Sequence, residues 1–561
     1  MMIIENSDNN IKIGMTFSEA ISIFQKNGKK NLFEEIITIN TIEEDENLSE
    51  DDKLKLISVL NSNEYTPFQK RIMIMRTLDK EKEFSSQIGI ILRERLPKME
   101  MVKRIMLVFR DYYTKKDVLK KEFGEVLTSV ETVKNMIKEI DNDFWNNPYN
   151  EDGSIKRVLE TSNGSGVFLW MVIYKFMVGL VSHFEDENDR YKFIIENMIY
   201  ACELQKSKMF NWLCIADIYD EYDLNVYCGS FLSKNKGEYT SDLNGEFDRH
   251  MSEVWKLKPG DINLSISNPP YQEMDGGSNA SAKPIYNLFT EKAIKISKEV
   301  LFITPSRWFA GGKGLSKFRQ FMMESNKIKV IKHFDDVVKI FGKNVDIPGG
   351  VSYFIFDNNY NGDCLLNDNK INLKDFDIII TNNKMTSLIS KLEKYDNLSK
   401  ICMGRGDNTF NIQTNDSRVV NSKLDDNYIK CYMSKKKGFQ KWINLNDVKT
   451  NEFLNKYKVV TAESNGDYPR FGNIFITNPF DVCSGSYIWF VSNSLQESES
   501  LLSYLKTNFA NKLLSMRKIS QHIKPDTLKW IPMVPFDREW TDVEIFEYFN
   551  LSEEEKKLIL E

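Results

Sequence analysis

The chain has 561 residues, enough for more than one hydrophobic core, so we expect several domains. Its composition, 41% hydrophobic and 28% charged residues without a low-complexity block, excludes disordered and fibrous proteins. The formal net charge of −6 does not indicate nucleic-acid binding through overall charge, although a local basic patch can still bind phosphates.

Cysteine and histidine spacing gives no indication of a metal site. The seven cysteines include no C-x-x-C pair and the four histidines lie far apart, so we expect reduced thiols and no structural metal. The start, Met1 to Glu5, is too short and too acidic for a signal peptide. The apolar stretch 167–181, interrupted by Lys175, is shorter than the roughly twenty residues that span a bilayer and predicts a buried helix. We therefore expect no membrane contact, and a cytoplasmic location in a prokaryotic cell or a phage-infected host.

The first 115 residues are predicted to be helical. Residues 32–39, 53–60 and 98–113 space their apolar side chains as amphipathic helices do. The region contains no Pro-Asp followed by an acidic-x-Lys strand, the usual pattern of a nuclease core. Its role stays open at this point.

From about Val126 the pattern changes to strands that alternate with helices, which predicts a mainly parallel α/β sheet. A short strand, 157–160, runs into the turn Thr-Ser-Asn-Gly-Ser-Gly at 161–166 and then into the apolar helix. The order of strand, glycine turn and helix lets the backbone of the turn approach a nucleotide-like ligand at the helix N-terminus. A glycine turn that serves only close packing is the alternative.

An acid ends the second predicted strand, 197–203. Glu203 at that position can accept hydrogen bonds from two ribose hydroxyls. A solvent-facing glutamate at a strand end is the alternative interpretation. A third strand is predicted at 225–231.

The fourth strand ends in Asn268-Pro269-Pro270-Tyr271, the stretch most typical of a specific chemistry. The two prolines fix φ near −65° and donate no N–H, so they end the strand and hold an extended turn at its carboxyl edge. The carbonyls of the turn and the Asn268 side chain are acceptors that a planar amino group can satisfy. A proline-rich strand end without function is the alternative.

Further strands are predicted at 299–305, 327–334 and 351–356, which makes at least seven between residues 120 and 357. Residues 400–535 are mixed, with basic residues among aromatics and amides, a composition that suits phosphate contacts and base reading. We take as candidate DNA contacts Lys435, Lys436, Lys437, Arg470, Arg517, Lys518 and Lys524. A solvated loop surface is the alternative for each cluster.

The order of these motifs resembles the gamma-class DNA adenine-N6 methyltransferases, in the branch found in type II restriction-modification proteins. The resemblance rests on Asn268 to Gln272, 281–286, 303–315 and 349–354, with weaker likeness at 456–460, 504–507 and 530–535. It covers residues 120 to 550 and leaves out the N-terminal 115.

This resemblance implies an α/β fold: a seven-stranded Rossmann-like methyltransferase domain at 116–395, between a helical region at 1–115 and a mixed target-recognition domain with a C-terminal helix at 396–561. It also implies S-adenosylmethionine as the cofactor. By position, the residues that cradle the methionine end are Glu160, Gly164, Ser165 and Gly166, covered by Thr128, while Glu203 holds the ribose. Ser230 stands where the family usually has an aspartate against the adenine amino group, which costs one charge-assisted hydrogen bond. Asn268 borders the same site.

The implied reaction is methyl transfer to the N6 amine of an adenine that has left the duplex. Asn268 and the Pro269 carbonyl accept the two amine hydrogens, and the rate comes from positioning and electrostatics. We expect Tyr271 to stack on one face of the base and Phe356 on the other, with Tyr353 as the alternative to Phe356. Double-stranded DNA is the expected partner of a monomer, with a separate cognate endonuclease as a second partner.

Three other functions remain compatible with the sequence. The first is a fused restriction-modification enzyme whose N-terminal helices belong to a nuclease. The second keeps the chemistry but acts on an RNA base or a protein glutamine, which share the planar geometry. The third is a DNA-binding specificity factor with a decayed cofactor site, indicated by Ser230.

Overall fold

The structure, a computed structural model, describes residues 32–45, 48–78, 82–115, 128–273, 283–312, 314–341, 347, 349–434, 439–464, 470–518 and 522–561. The chain divides into two units, Met1–Ile379 and Ile380–Glu561. The boundary predicted from the sequence, after residue 395, falls inside the second unit. The roles predicted for the three segments remain predictions.

Helices make up much of the first unit, and the predicted helical character of the N-terminal region is observed in its described part. The helices run Leu32–Ile36, Ile39–Glu43, Glu50–Asn61, Pro67–Leu78, Lys82–Arg93, Lys98–Lys115, Val130–Lys138, Asn142–Asn146, Val167–Gly179, Glu187–Phe193, Lys206–Asp217, Glu246–Glu253, Tyr286–Ile296, Ser316–Glu324 and Val338–Phe341. Short 3₁₀ helices run Leu180–Ser182, Ser306–Phe309 and Leu373–Asp375, and Ile194–Met198 is a π-helix.

The N-terminal helices pack onto the sheet-covering helix Lys206–Asp217. The guanidinium of Arg71 is buried and donates to the Ile218 carbonyl oxygen at 2.7 Å. The Phe33 and Phe210 rings meet edge to face at 5.6 Å. This region therefore shares a hydrophobic core with the sheet, which the sequence did not indicate.

The strands of the first unit are β1 Val158–Glu160, β2 Ile199–Glu203, β3 Asn225–Cys228, β4 Ser233–Asn235, β5 Glu238–Thr240, β6 Ile262–Ser267, β7 Ser297–Pro305, β8 Ile328–Phe334, β9 Val351–Asp357, β10 Cys364–Leu366 and β11 Asn369–Ile371. Nine of them form one sheet in the order β11-β10-β8-β9-β7-β6-β1-β2-β3, and β4 pairs with β5 alone. The seven strands predicted between residues 120 and 357 are all present in this sheet, and the short hairpin β10–β11, which follows residue 357, makes it two strands larger than the seven-stranded sheet that the resemblance implied. A three-residue strand carries too few residues to show a period-2 pattern.

Strand direction decides which residues meet at the functional edge. Strands β3, β2, β1, β6 and β7 are mutually parallel, with Leu159 of β1 opposite Tyr200 of β2 and Ser265 of β6. Their carboxyl ends therefore lie at one edge of the sheet. Strand β9 runs antiparallel between β7 and β8, so its first residues, rather than its last, lie at that edge.

Both faces of the sheet are covered. Leu264 and Ile266 face the core that holds the buried Val167–Gly179 helix, while Phe302 and Phe354 face the second core. A sheet covered on both faces gives strands that are apolar at nearly every position. Among the helices that the structure describes, none combines the length and the apolar character that crossing a bilayer needs.

The second unit is a mixed α and β structure, as predicted. Its helices run Asn383–Leu392, Gly406–Phe410, Leu495–Lys506, Asn508–Arg517, Asp542–Tyr548 and Glu553–Leu560, with 3₁₀ helices at Leu398–Lys400, Leu445–Asp447 and Pro525–Leu528. Its strands are β12 Cys402–Arg405, β13 Tyr428–Tyr432, β14 Gln440–Asn444, β15 Tyr457–Ala462, β16 Phe475–Thr477, β17 Val482–Cys483 and β18 Tyr487–Ser492. They form two sheets, β12-β18-β15-β16 and β14-β13-β17. Ser552 caps the last helix in a capping box with Glu555, as its sequence predicts.

Candidate active site

The Asn-Pro-Pro-Tyr corner and the glycine turn meet at the carboxyl ends of the adjacent strands β6 and β1. The hydroxyl oxygen of Ser162 lies 2.7 Å from that of Ser267, and the Ser162 hydroxyl donates to the Asn268 carbonyl at 3.2 Å. Two hydrogen bonds therefore fix the catalytic corner to the predicted cofactor turn. The sequence predicted both motifs but not this link between them.

Asn268 is half-buried. Its Nδ2 donates to Oγ1 of the buried Thr128 at 3.0 Å, which holds the side-chain amide in place. Since an amide carries its donor and acceptor on opposite branches, this arrangement directs Oδ1 away from Thr128. Thr128, predicted to cover the cofactor, thus lies directly against the predicted catalytic residue.

The turn itself combines buried and accessible residues. Pro269 is buried, Pro270 is exposed and Tyr271 is half-buried. The Tyr271 ring meets the ring of Tyr286 edge to face at 6.5 Å. Burial raises the pKa of Tyr271, so its phenol stays neutral at physiological pH. The chain after it returns to the corner, since the Ile285 N–H donates to the Tyr271 carbonyl at 3.2 Å.

Glu203 lies at the tip of β2, as predicted, with its carboxylate against backbone. The Gly164 N–H donates to Oε2 at 2.6 Å and the Gln205 N–H to Oε1 at 2.8 Å. A carboxylate accepts several hydrogen bonds, and two of them here come from backbone N–H groups. The predicted ribose acid therefore also shapes the glycine turn.

Glycine is required at two positions of this turn. Gly164 has φ +53° and nothing within 4 Å of where a Cβ would stand, so its outer side is open to a ligand. Gly166 has φ +86°, and a Cβ there would lie 2.2 Å from Cδ1 of Trp212. The first glycine gives a ligand access to backbone, and the second lets the helix pack closely. Ser165 between them is half-exposed.

Buried polar atoms next to the turn match a charged ligand. Oε2 of Glu160 and both ends of the Asn163 side-chain amide are buried without a hydrogen-bond partner in the described part of the chain. Burial, reinforced by the negative charge of Glu203, raises the pKa of Glu160 well above its ordinary value. Burying unpaired polar atoms and burying two neighbouring carboxyl groups both cost free energy. A ligand that brings hydrogen-bonding groups and a positive charge lowers both costs, which fits S-adenosylmethionine.

Ser230 follows β3 at the same edge of the sheet. Its hydroxyl donates to the Leu232 carbonyl at 2.9 Å, and the preceding Gly229 N–H donates to the Glu203 carbonyl at 2.9 Å. The predicted cofactor residues of β1, β2 and β3 thus belong to three neighbouring strand ends. Ser230 is half-buried, so its lone pairs are not closed off by packing.

The predicted stacking role of Phe356 is wrong. Phe356 is fully buried, pairs with Val300 and packs its ring on Phe321 at 6.0 Å. Val300 is level with Ser265, three residues or about 10 Å before Asn268. The prediction assumed a parallel strand, whereas antiparallel β9 carries its last residues away from the functional edge.

Tyr353, the alternative, lies nearer that edge, opposite Ile303 of β7. It is also buried, and its hydroxyl hydrogen-bonds Glu139 at 3.3 Å while its ring packs on Phe334 at 5.7 Å. These contacts belong to the core. Tyr271 is therefore the one predicted stacking residue that the structure leaves partly accessible.

The candidate DNA contacts of the second unit differ in accessibility. Arg517 is buried, donates to the Asp526 carbonyl at 2.6 Å and lies over the Trp530 ring at 4.9 Å. This arginine is a structural residue, and its prediction as a phosphate contact is wrong. The basic residues that keep accessible surface are Arg470, Lys518 and Lys524. Lys435, Lys436 and Lys437 lie outside the described residues.

Sequence reasoning missed the contributions of Ser162, Asn163 and Tyr286. Ser162 and Asn163 lie inside the glycine turn that it quoted, but only the glycines and Ser165 were given roles. The signal was present, because polar residues in a turn at a strand end point to ligand contacts. Tyr286 begins a helix fifteen residues beyond the corner, and no local pattern shows that its ring meets Tyr271.

A family model described as Eco57I restriction-modification methylase matches residues 210–341, which include the Asn268 to Tyr271 corner. This part of the chain is therefore similar to the Eco57I-type methylases. An "uncharacterized adenine-specific methylase" of Mycoplasma pneumoniae is 27% identical over 299 residues, which cover 43% of this chain and 69% of that protein.

Two solved structures of restriction-modification proteins also align with this chain. The type IIG restriction endonuclease BpuSI aligns at 12% identity over 97% of this chain and 73% of its own, with a TM-score of 0.37. The DrdV–DNA complex aligns at 10% identity over 92% and 70%, with a TM-score of 0.41. These similarities are too low to carry an argument.

The matches confirm the predicted similarity to restriction-modification adenine methyltransferases. They support a DNA adenine methyltransferase that uses S-adenosylmethionine as its cofactor. The predicted methyltransferase-like α/β fold is observed, with the larger sheet described above.

Proposed function

We propose that this Eco57I-type protein transfers a methyl group from S-adenosylmethionine to the N6 amine of an adenine flipped out of double-stranded DNA. The observation that carries the proposal is the pair of hydrogen bonds that the Ser162 hydroxyl makes, one with the Ser267 hydroxyl and one to the Asn268 carbonyl, which tie the Asn268 corner to the glycine turn. Two binding sites held at adjacent strand ends are what a direct transfer between two ligands requires.

The exocyclic amine of adenine is a poor nucleophile because its lone pair is delocalised into the ring. Asn268 Oδ1 and the Pro269 carbonyl can each accept one amine hydrogen, which frees the lone pair for attack. S-adenosylmethionine, when bound at the glycine turn, supplies the electrophilic methyl group on a sulfonium. The residues of the chain orient the base and the cofactor and supply hydrogen-bond acceptors in fixed positions. The methyl transfer is therefore direct and needs no covalent enzyme intermediate.

We infer that the two units have different roles. The first unit holds cofactor and target base, and the second, with Arg470, Lys518 and Lys524 on its surface, contacts the DNA. Phosphate contacts from basic side chains set affinity, while base contacts set the recognition sequence.

Purified protein incubated with DNA and S-adenosylmethionine tests the proposal. Mass spectrometry of the digested nucleosides should show N6-methyladenine that increases with time. Methylated cytosine, or a methyl group on RNA or protein added in the same tube, would contradict it.

Stacking of the extruded base gives a separate prediction. Tyr271→Ala should lower the fluorescence increase of 2-aminopurine at the target position, because one face of the base loses its aromatic contact. Phe356→Leu is the matched control: it should cost about 1–2 kcal/mol of stability and leave the fluorescence unchanged. Equal fluorescence for Tyr271→Ala and the parent argues against the stacking role.

The raised pKa of Glu160 predicts pH-dependent cofactor binding. In the free protein Glu160 keeps a proton up to the raised pKa, and a cationic ligand nearby favours its ionised form. Binding should therefore release a proton, and affinity for S-adenosylmethionine should rise with pH until Glu160 is ionised in the free protein as well.

Calorimetry in two buffers of different ionisation enthalpy measures this proton release. Glu160→Gln, which cannot ionise, is the control and should release fewer protons. Equal proton release by the parent and Glu160→Gln contradicts the prediction.

A further inference from the structure

A cluster of three charged or polar side chains in the second unit lies outside the site described above. Glu463 follows β15, Arg405 ends β12, and His522 lies near the 3₁₀ helix Pro525–Leu528. Arg405 Nη1 lies 3.5 Å from Glu463 Oε1, and His522 Nδ1 lies 3.0 Å from Glu463 Oε2. Three separate segments therefore converge on one carboxylate.

Glu463 is rigidly placed. Its side chain is only 8% exposed, its N–H donates to the Ser486 carbonyl at 3.0 Å, and its carbonyl accepts from the Ile523 N–H at 2.8 Å. Backbone hydrogen bonds to two other segments thus leave the residue little freedom. The carboxylate is a fixed acceptor against which longer side chains can be oriented.

Arg405 and His522 keep large accessible surfaces although both are paired. Their side chains are 40% and 46% exposed. Arg405 lies between Gly404, with φ +82°, and Gly406, where a Cβ would lie 2.0 Å from the Cys483 carbonyl oxygen. Gly404 thus permits a left-handed backbone before this arginine, and Gly406 permits close packing on Cys483 after it.

A partly exposed ion pair of this kind contributes little to folding. It does contribute preorganisation, because an arginine that is already oriented loses less rotamer freedom when it binds. The carboxylate accepts only, so His522 donates to it through Nδ1–H. The cluster thus presents guanidinium donors beside an imidazole that is held by the same carboxylate.

We propose that Arg405, oriented by Glu463, reads a guanine in the DNA recognition sequence. Guanidinium donors match the O6 and N7 acceptors of guanine in the major groove. Lys524, exposed and two residues after His522, suits a phosphate contact instead. The inference rests on the proposed action on DNA.

Selection of duplexes from a random library by the full-length protein tests this without relying on catalysis. The parent should enrich a motif that contains at least one invariant guanine. Arg405→Lys should lose the preference for that guanine, with about a ten- to hundredfold loss of discrimination, because a point charge does not replace the planar fork. Glu463→Gln should give a smaller loss at the same position.

Lys524→Ala is the matched control, since it also alters one exposed cation on the same surface. It should weaken binding to all sequences alike, lower the salt dependence and leave the motif unchanged. The inference is overturned if Arg405→Lys enriches the parent motif with the parent's stringency, or if the parent enriches no motif. A motif found without any methyl transfer would contradict the proposed function and leave this inference standing.

Discussion

Asn268→Ala should lower the single-turnover rate of methyl transfer by about 10²–10³-fold, the usual effect of removing one preorganised polar group from a reacting centre. In the proposed reaction Asn268 Oδ1 is an acceptor for the amine, while Nδ2 of the same amide donates to Thr128. Affinity for S-adenosylmethionine should change only a few fold, because the glycine turn and the strand ends β1 to β3 stay intact.

Transfer of a tritiated methyl group to DNA under single-turnover conditions measures the rate, and calorimetry measures the affinity. Asn369→Ala, an exposed asparagine in the hairpin β10–β11, is the control and should behave as the parent does. Near-normal turnover of Asn268→Ala would reject the catalytic role. An equal fall in rate and cofactor affinity would make Asn268 a cofactor residue instead.

Gly166→Ala should reduce the free energy of unfolding by about 2–5 kcal/mol. Left-handed backbone costs about 1–2 kcal/mol for an L-residue, and overpacking adds about 1–3 kcal/mol. The new methyl group would stand 2.2 Å from the Trp212 ring, so the helix after the turn must shift. Chemical denaturation followed by circular dichroism measures the loss.

Two other glycines separate the causes of this loss. Gly153, with φ +80° and open space around it, should show only the backbone cost when changed to alanine. Gly164→Ala should also cost little stability but weaken S-adenosylmethionine binding, because its open side is where the ligand approaches. Equal stabilities of Gly166→Ala and Gly153→Ala would contradict the packing role of Trp212.

Local sequence patterns predicted the parts of the site that local chemistry determines. Prolines end a strand wherever they occur, so Pro269 and Pro270 located the tip of β6. The acid and glycines around β1 and β2 followed from the strand-turn-helix order in the same way. Because parallel strands align their carboxyl ends, these motifs could be expected to lie together.

Other features depend on packing between distant segments. Phe356 was misplaced because the direction of β9 depends on its pairing with β7 and β8. The sequence of β9 itself does not indicate that direction. Arg517 was misjudged because its burial depends on Trp530 and Asp526. The hydrogen bond between Thr128 and Asn268 joins residues 140 positions apart. No periodicity or motif reports such contacts.

Methylation-sensitive long-read sequencing of DNA from cells that express the chain tests the central claim most directly. If the Asn268 corner holds an adenine amine opposite the methyl donor and the second unit reads the sequence, N6-methyladenine should occur at nearly every copy of one short motif. The mark should be absent from cells that express Asn268→Ala. Unmodified adenines in the presence of folded protein that binds S-adenosylmethionine would contradict the account.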